Sequence, residues 1–195
     1  MKFSRIEIKH LTIAWLIISL AFAIAFTGIS FSLKFLGAIL TSFFTVGIGF
    51  IFHELGHKYM AQKYHCVAEF RANYPMLLLA IILSFLGFIF AAPGAVMING
   101  YVNLKQRGKI SAAGPFMNLV IALFFIIFLI IFKTLNIEAI VNILFYGALI
   151  NSWLALFNLL PFGILDGNKI LAWNKSYYGI LIMVSVLFVV VSYLI

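Results

Sequence analysis

Apolar residues dominate this chain in blocks long enough to cross a bilayer, and polar residues fall mostly in the short gaps between them. A spanning helix needs about 20 mostly apolar residues. Segments of that kind run from Leu11 to about Phe31, Phe35 to Gln62, Ile110 to Phe132, Glu138 to about Leu160, and Tyr177 to Ile195. A sixth apolar run, Met76 to Ala92, lies between Pro75 and Pro93 and contains Gly87. Its length is marginal for a full crossing. Between Pro93 and Lys109 the pattern changes. Ala95-Val96-Met97-Ile98 and Tyr101-Val102-Asn103-Leu104 flank Asn99-Gly100. Asn-Gly between two β-prone runs is a strong hairpin signal, because both turn positions need positive φ. The pattern predicts an all-α polytopic membrane protein with five transmembrane helices, a re-entrant apolar helix and a small β-hairpin over about 95–104 at one membrane face. With no repeat or low-complexity linker, residues 1–195 read as one membrane-embedded domain.

Composition agrees. Hydrophobic residues make up 65% of the 195 and charged residues 9%, against about a quarter charged in soluble domains. The mean hydropathy is +1.18. A soluble globular domain, a disordered tail and a disulfide scaffold are excluded. The first segment, preceded by Lys2, Arg5 and Lys9, also has the look of a secretory signal peptide, but the further apolar segments favour a retained helix. Cys66 reads as a small buried apolar residue in reduced form.

Basic residues exceed acidic ones by 13 to 5. They form no long run or interleaved patch, so nucleic acid is not the expected partner; the bilayer is. Their distribution bears on topology. If Met76–Ala92 dips in and returns, 11 basic residues share the amino-terminal face: Lys2, Arg5, Lys9, Lys58, Lys63, Arg71, Lys105, Arg107, Lys109, Lys169 and Lys175. Only Lys34 and Lys133 lie opposite. If the segment crosses, the division is nearly even. The positive-inside rule favours the first arrangement, with a cytoplasmic amino terminus in the cell membrane.

Within the second segment stands His53-Glu54-Leu55-Gly56-His57. On a helix, positions i and i+4 share a face, so both imidazoles can bind one metal. Glu54 sits beside that face, placed to take a proton from water there. Two His and a Glu in an apolar span are costly in lipid and mark function. If the helix leaves the hydrocarbon near Gln62, His57 lies about 9 Å deep and His53 about 15 Å, at about 1.5 Å per residue.

Catalytic zinc typically takes three protein ligands and an open position. The remaining choices are His10, His65, Glu69, Glu138 and Asp166. His10 and Glu138 start segments, and His65 and Glu69 follow the motif too closely to fold back. Asp166 comes after Pro161 and Gly163, which break the preceding helix and can turn the chain toward the metal. Asp166 could also cap the stretch from Gly167 to Trp173. The metal demands that the two motif-bearing helices run in the same direction, with an odd number of crossings between them. That again requires Met76–Ala92 to turn back.

At this point the chain resembles the site-2 protease family of intramembrane zinc metalloproteases. The resemblance rests on His53-Glu54-Leu55-Gly56-His57, on Gly114-Pro115-Phe116-Met117-Asn118, and on Asn158 with Pro161 and Leu165-Asp166-Gly167, in that order over about 37–173. It implies one Zn2+ per chain held by His53, His57 and Asp166. It implies Glu54 as catalytic base and Asn158 as a polar group near the substrate carbonyl, where an amide N–H can meet an oxyanion. The implied partner is a membrane-spanning protein substrate. Asn118 reads as packing, with Gly114 allowing close helix approach, and Asn151 as an interhelical contact or cavity lining. An edge strand at Val96–Ile98 could hold an unwound substrate backbone. The prenyl-protein type of membrane metalloprotease fits less well, since no Glu follows Glu138. A divalent-metal transporter is the non-enzymatic alternative; it would show polar residues along a path rather than at one depth.

Overall fold

The computed structural model describes residues 1–89, 92–136 and 138–195. Phe90 and Ala91, in the tail of the Met76–Ala92 segment, lie outside the described residues, as does the side chain of Glu138, weighed above as a ligand.

Among the described residues, five helices are long and apolar enough to span a bilayer: Arg5–Thr27, Leu33–Lys63, Leu104–Thr134, Ile140–Asn158 and Lys175–Leu194. The protein is a multi-pass, all-α membrane protein with a small antiparallel sheet. In chain order the elements are α1 (Arg5–Thr27), α2 (Leu33–Ser42), α3 (Ile48–Lys63), β1 (Val67–Ala72), α4 (Tyr74–Ser84), β2 (Gly94–Asn99), α5 (Leu104–Thr134), α6 (Glu138–Asn158), α7 (Asp166–Trp173) and α8 (Lys175–Leu194).

Local chemistry sets several boundaries. Ser4 caps α1 by accepting the Glu7 N–H at 3.1 Å. Asn103 and Gln106 form a reciprocal capping box at the start of α5, which satisfies two otherwise orphaned donors. Between α2 and α3 the helix widens into a π turn, Phe43–Gly47. That turn is wedged between two neighbours. Trp15 of α1 stacks on Phe43 at 4.1 Å and donates its indole N–H to the Phe43 carbonyl at 3.2 Å. Asn151 of α6 donates to the Thr45 carbonyl at 3.4 Å.

Segment three turns back. Helix α4 has 11 residues, fewer than a span requires. It is capped by Asn73, which accepts the Met76 N–H, and it ends at Ser84, short of Ala92. There the Phe88 N–H reaches back to the Leu83 carbonyl and the Gly87 N–H to that of Ser84, the pattern that closes a helix. The strands on either side pair with each other, Ala72 opposite Gly94 and Val67 opposite Asn99, and the Asn73 N–H donates to the Pro93 carbonyl at 2.9 Å. Both ends of the excursion are therefore tied together, and it cannot cross.

The sheet differs from the expected hairpin over 95–104. Strand β2 is present, but its partner is β1, not Tyr101–Leu104. Gly100 takes φ +146° rather than the tight left-handed turn, and Asn99 remains in the strand. Asn103 is committed to capping α5, so the chain leaves the sheet at once. Phe70 of β1 carries the sheet into the core. It is buried and packs edge-on against Phe50 at 5.6 Å, within a cluster that includes Leu11, Ile18, Val46 and Leu77.

Candidate metal centre

Helix α3 presents His53 and His57 one turn apart, both toward α5 and α7. Their Nε2 atoms are 3.0 Å from each other. Asp166 Oδ2 lies 3.4 Å from His53 Nε2 and 3.0 Å from His57 Nε2. The three residues expected from sequence thus converge on one point at the buried start of α7. Asp166 is the first residue of α7 and makes no cap; Leu165 occupies the N-cap position.

The hydrogen bonds around the imidazoles set their protonation. His53 Nδ1 is 2.6 Å from Asn118 Oδ1. The orientation of that amide is fixed by its other end, because Asn118 Nδ2 donates to the Gly49 carbonyl at 3.1 Å and to Asn151 Oδ1 at 3.2 Å. Asn118 Oδ1 can therefore only accept, and His53 carries its proton on Nδ1. His57 Nδ1 donates to the Ile110 carbonyl at 2.8 Å. Both Nε2 lone pairs then face Asp166, the arrangement that metal-ligating histidines require. Three such lone-pair atoms repel one another unless a cation sits among them. Their separations of 3.0 to 3.4 Å match the edge of about 3.3 Å in a tetrahedron of zinc ligands at 2.0–2.1 Å. A His, His, carboxylate set also suits zinc chemically. The other Asp166 oxygen, Oδ1, is 3.5 Å from Lys169 Nζ, which leaves Oδ2 for the metal.

Asn118 is more than the packing residue expected. It is fully buried and fixes the tautomer of His53, a candidate ligand. Asn151, also fully buried, fills the interhelical role expected of it, bonding Asn118 and the carbonyls of Thr45 and Gly147. Gly114 serves the rings rather than the helices alone. A Cβ there would stand 2.4 Å from His57 Nε2 and 2.7 Å from His53 Cε1. Gly167 instead lets the start of α7 pack on the end of α6, since a Cβ there would strike the Leu159 carbonyl.

Glu54 is buried, and its Oε2 has no hydrogen-bond partner among the described residues. It borders a cavity of about 720 Å³ that also exposes His53, His57, Asp166 and Asn158. Apolar side chains such as Phe22, Tyr146 and Trp153 form much of the wall. Asn158 lines the cavity but donates one amide hydrogen to the Leu154 carbonyl at 2.9 Å. It lies within the same cavity as the metal cluster and is not hydrogen-bonded to it.

Sequence reasoning missed one polar group nearby. Lys58, counted among the cytoplasmic basic residues, is buried and paired with buried Glu7 at 2.6 Å. Its position directly after His57 was the available signal. A lysine one residue from a buried ligand and a lone acid among the first ten residues are each unremarkable in isolation.

A buried His, His, carboxylate cluster inside a bundle of spanning helices is the candidate centre of a membrane metalloprotein. A protein of Methanocaldococcus jannaschii named "Putative zinc metalloprotease MJ0611" is 41% identical over 181 residues, 92% of this chain and 90% of its own. The chain belongs to that zinc metalloprotease family. No family model matches the sequence, and no solved structure matches it.

Proposed function

We propose that this chain is an intramembrane zinc metalloprotease of the site-2 protease type, cutting a peptide bond within or near a transmembrane segment of a membrane-anchored protein. One observation carries the reading: a buried carboxylate oxygen, Glu54 Oε2, which has no partner among the described residues, borders the same apolar-walled cavity as a three-residue candidate metal cluster. His53, His57 and Asp166 would hold one zinc. When bound, the metal supplies a Lewis acid and lowers the pKa of water at the site toward about 7. Glu54 Oε2 accepts a proton from the attacking water and later delivers it to the leaving nitrogen. Asn158 has a second amide hydrogen, free to meet the charge that develops on the substrate carbonyl.

The substrate must arrive unwound, because a helix hides its peptide bonds in its own hydrogen bonds. Strand β2 borders the cavity at Gly94, Val96 and Ile98, and Glu54 borders the same cavity. An extended substrate backbone added there would lie next to the catalytic carboxylate. With Lys58 buried, ten basic residues still mark the amino-terminal face against two opposite. That supports a cytoplasmic amino terminus and an active site opening nearer that side.

The test is Glu54→Gln. The purified variant should keep one zinc per chain and lose cleavage of a membrane-spanning reporter by at least about 10³-fold. Unchanged cleavage, or metal flux into vesicles without proteolysis by the wild type, would overturn the reading.

A further inference from the structure

Among the described residues strand β1 pairs only with β2, yet its outer edge is occupied. The Asn73-to-Pro93 hydrogen bond and the register place Ala68, Phe70 and Ala72 at positions whose backbone groups point away from β2. Side chains from two helices fill those positions. The Phe70 N–H donates to Glu7 Oε1 at 3.0 Å. The Ala72 N–H donates to His10 Nδ1 at 3.2 Å. The Ala68 carbonyl accepts from Lys58 Nζ at 2.7 Å. Lys58 also donates to both Glu7 oxygens, at 2.8 and 2.6 Å, and both residues are buried. The opposite residues on β2, namely Gly94, Val96 and Ile98, point their backbone groups outward on the other edge, and they line the cavity.

We propose that Glu7, Lys58 and His10 are positioning residues that close the β1 edge to strand addition and pin the sheet so that only the β2 edge receives substrate, in register with Glu54. The inference rests on the protease reading above. The chemistry of the plug matches the strand group by group. An acceptor, Glu7, meets an N–H, and a donor, Lys58, meets a carbonyl. A buried ion pair contributes little net stability compared with apolar residues of similar volume, so stability alone does not account for it. Lys58 also directly follows His57, so the residue that holds β1 and the residue aimed at the metal share one turn of α3. Any shift of the sheet relative to α3 would move the substrate register along the scissile site.

The experiment uses the full-length protein with a membrane-spanning reporter that the wild type cleaves. The double variant Glu7→Leu/Lys58→Met removes the ion pair of the plug, leaving His10 on Ala72, while keeping an apolar core. It should retain zinc and a kcat within about threefold, raise KM by about tenfold or more, and cut at additional neighbouring bonds. The reversed pair Glu7→Lys/Lys58→Glu restores an ion pair with the wrong polarity for the strand and should be equally impaired. A merely structural salt bridge would be rescued by it. Amide hydrogen exchange on the unmodified protein supplies a reading independent of variant folding. The Phe70 and Ala72 amides should exchange slowly although no strand covers them, and added uncleaved peptide should slow Val96 and Ile98 instead. Wild-type KM with a single cut site in the double variant, rescue by the reversed pair, or fast exchange at Phe70 and Ala72 would each overturn the proposal. An inactive wild type would instead overturn the protease reading, and the exchange pattern would still report on the plug by itself.

Discussion

At the scale of single residues, the centre depends on groups that never touch the metal position. Asn118 is an example. Its amide is held by Gly49 and Asn151, and through that it dictates which nitrogen of His53 carries the proton. Asn118→Leu removes the acceptor while roughly keeping volume. The expected result is a 10–100-fold loss of zinc affinity, the usual effect of deleting such a partner, measured by competition with a chelating dye. His53 and His57 were legible in the sequence because i, i+4 spacing is a local property. Asp166 could be reached by elimination among few acids. The tautomer-setting role of Asn118 could not, because it depends on residues 65 and 33 positions away. The same holds for Lys58 and Glu7, 51 residues apart: a lone lysine near a helix end looks solvated until its partner is known.

At the scale of elements, the five spanning helices were legible because length and apolarity suffice to define them. The sheet was only half legible. Ala95–Ile98 forms a strand as its β-prone composition implies, but Asn99-Gly100 was misleading as a turn signal, because the capping demand of α5 overrode it. Strand β1 carries Glu69 and Arg71, which pair with each other, and its partner lies more than twenty residues away across α4. Neither period nor proximity advertises it. Close approach of α5 to the two imidazoles of α3 depends on Gly114. Gly114→Ala places a methyl group against both imidazoles. Overpacking of this kind costs about 1–3 kcal/mol. Here the two helices are each anchored elsewhere, so the strain should fall on the rings. The variant should remain helical by circular dichroism but purify with substoichiometric zinc.

At the scale of the whole molecule, the tie between Asn73 and Pro93 makes the segment between the strands a dip rather than a crossing, and every later helix takes its direction from that. In a Cys66→Ala background, single cysteines at His65 and Asn99, both exposed, should react with a membrane-impermeant maleimide from the same side. A cysteine at Ser30, also exposed, should react only from the other. Labelling of His65→Cys and Asn99→Cys from opposite sides would contradict the fold.

The π turn at Phe43–Gly47 has a consequence for how this helix can change. A π turn holds one residue more than an α-helical turn does, and in an α-helix one residue is worth about 100° of rotation. The half of the helix that carries Phe43 against Trp15 and the half that carries His53 and His57 are therefore set out of phase by design of the chain length. Removing a single lipid-facing residue such as Phe44 would not shorten the helix enough to matter for spanning. It would act like slipping one tooth of a gear: either the Trp15 contact or the aim of both histidines would be lost, since a continuous α-helix cannot hold both angles.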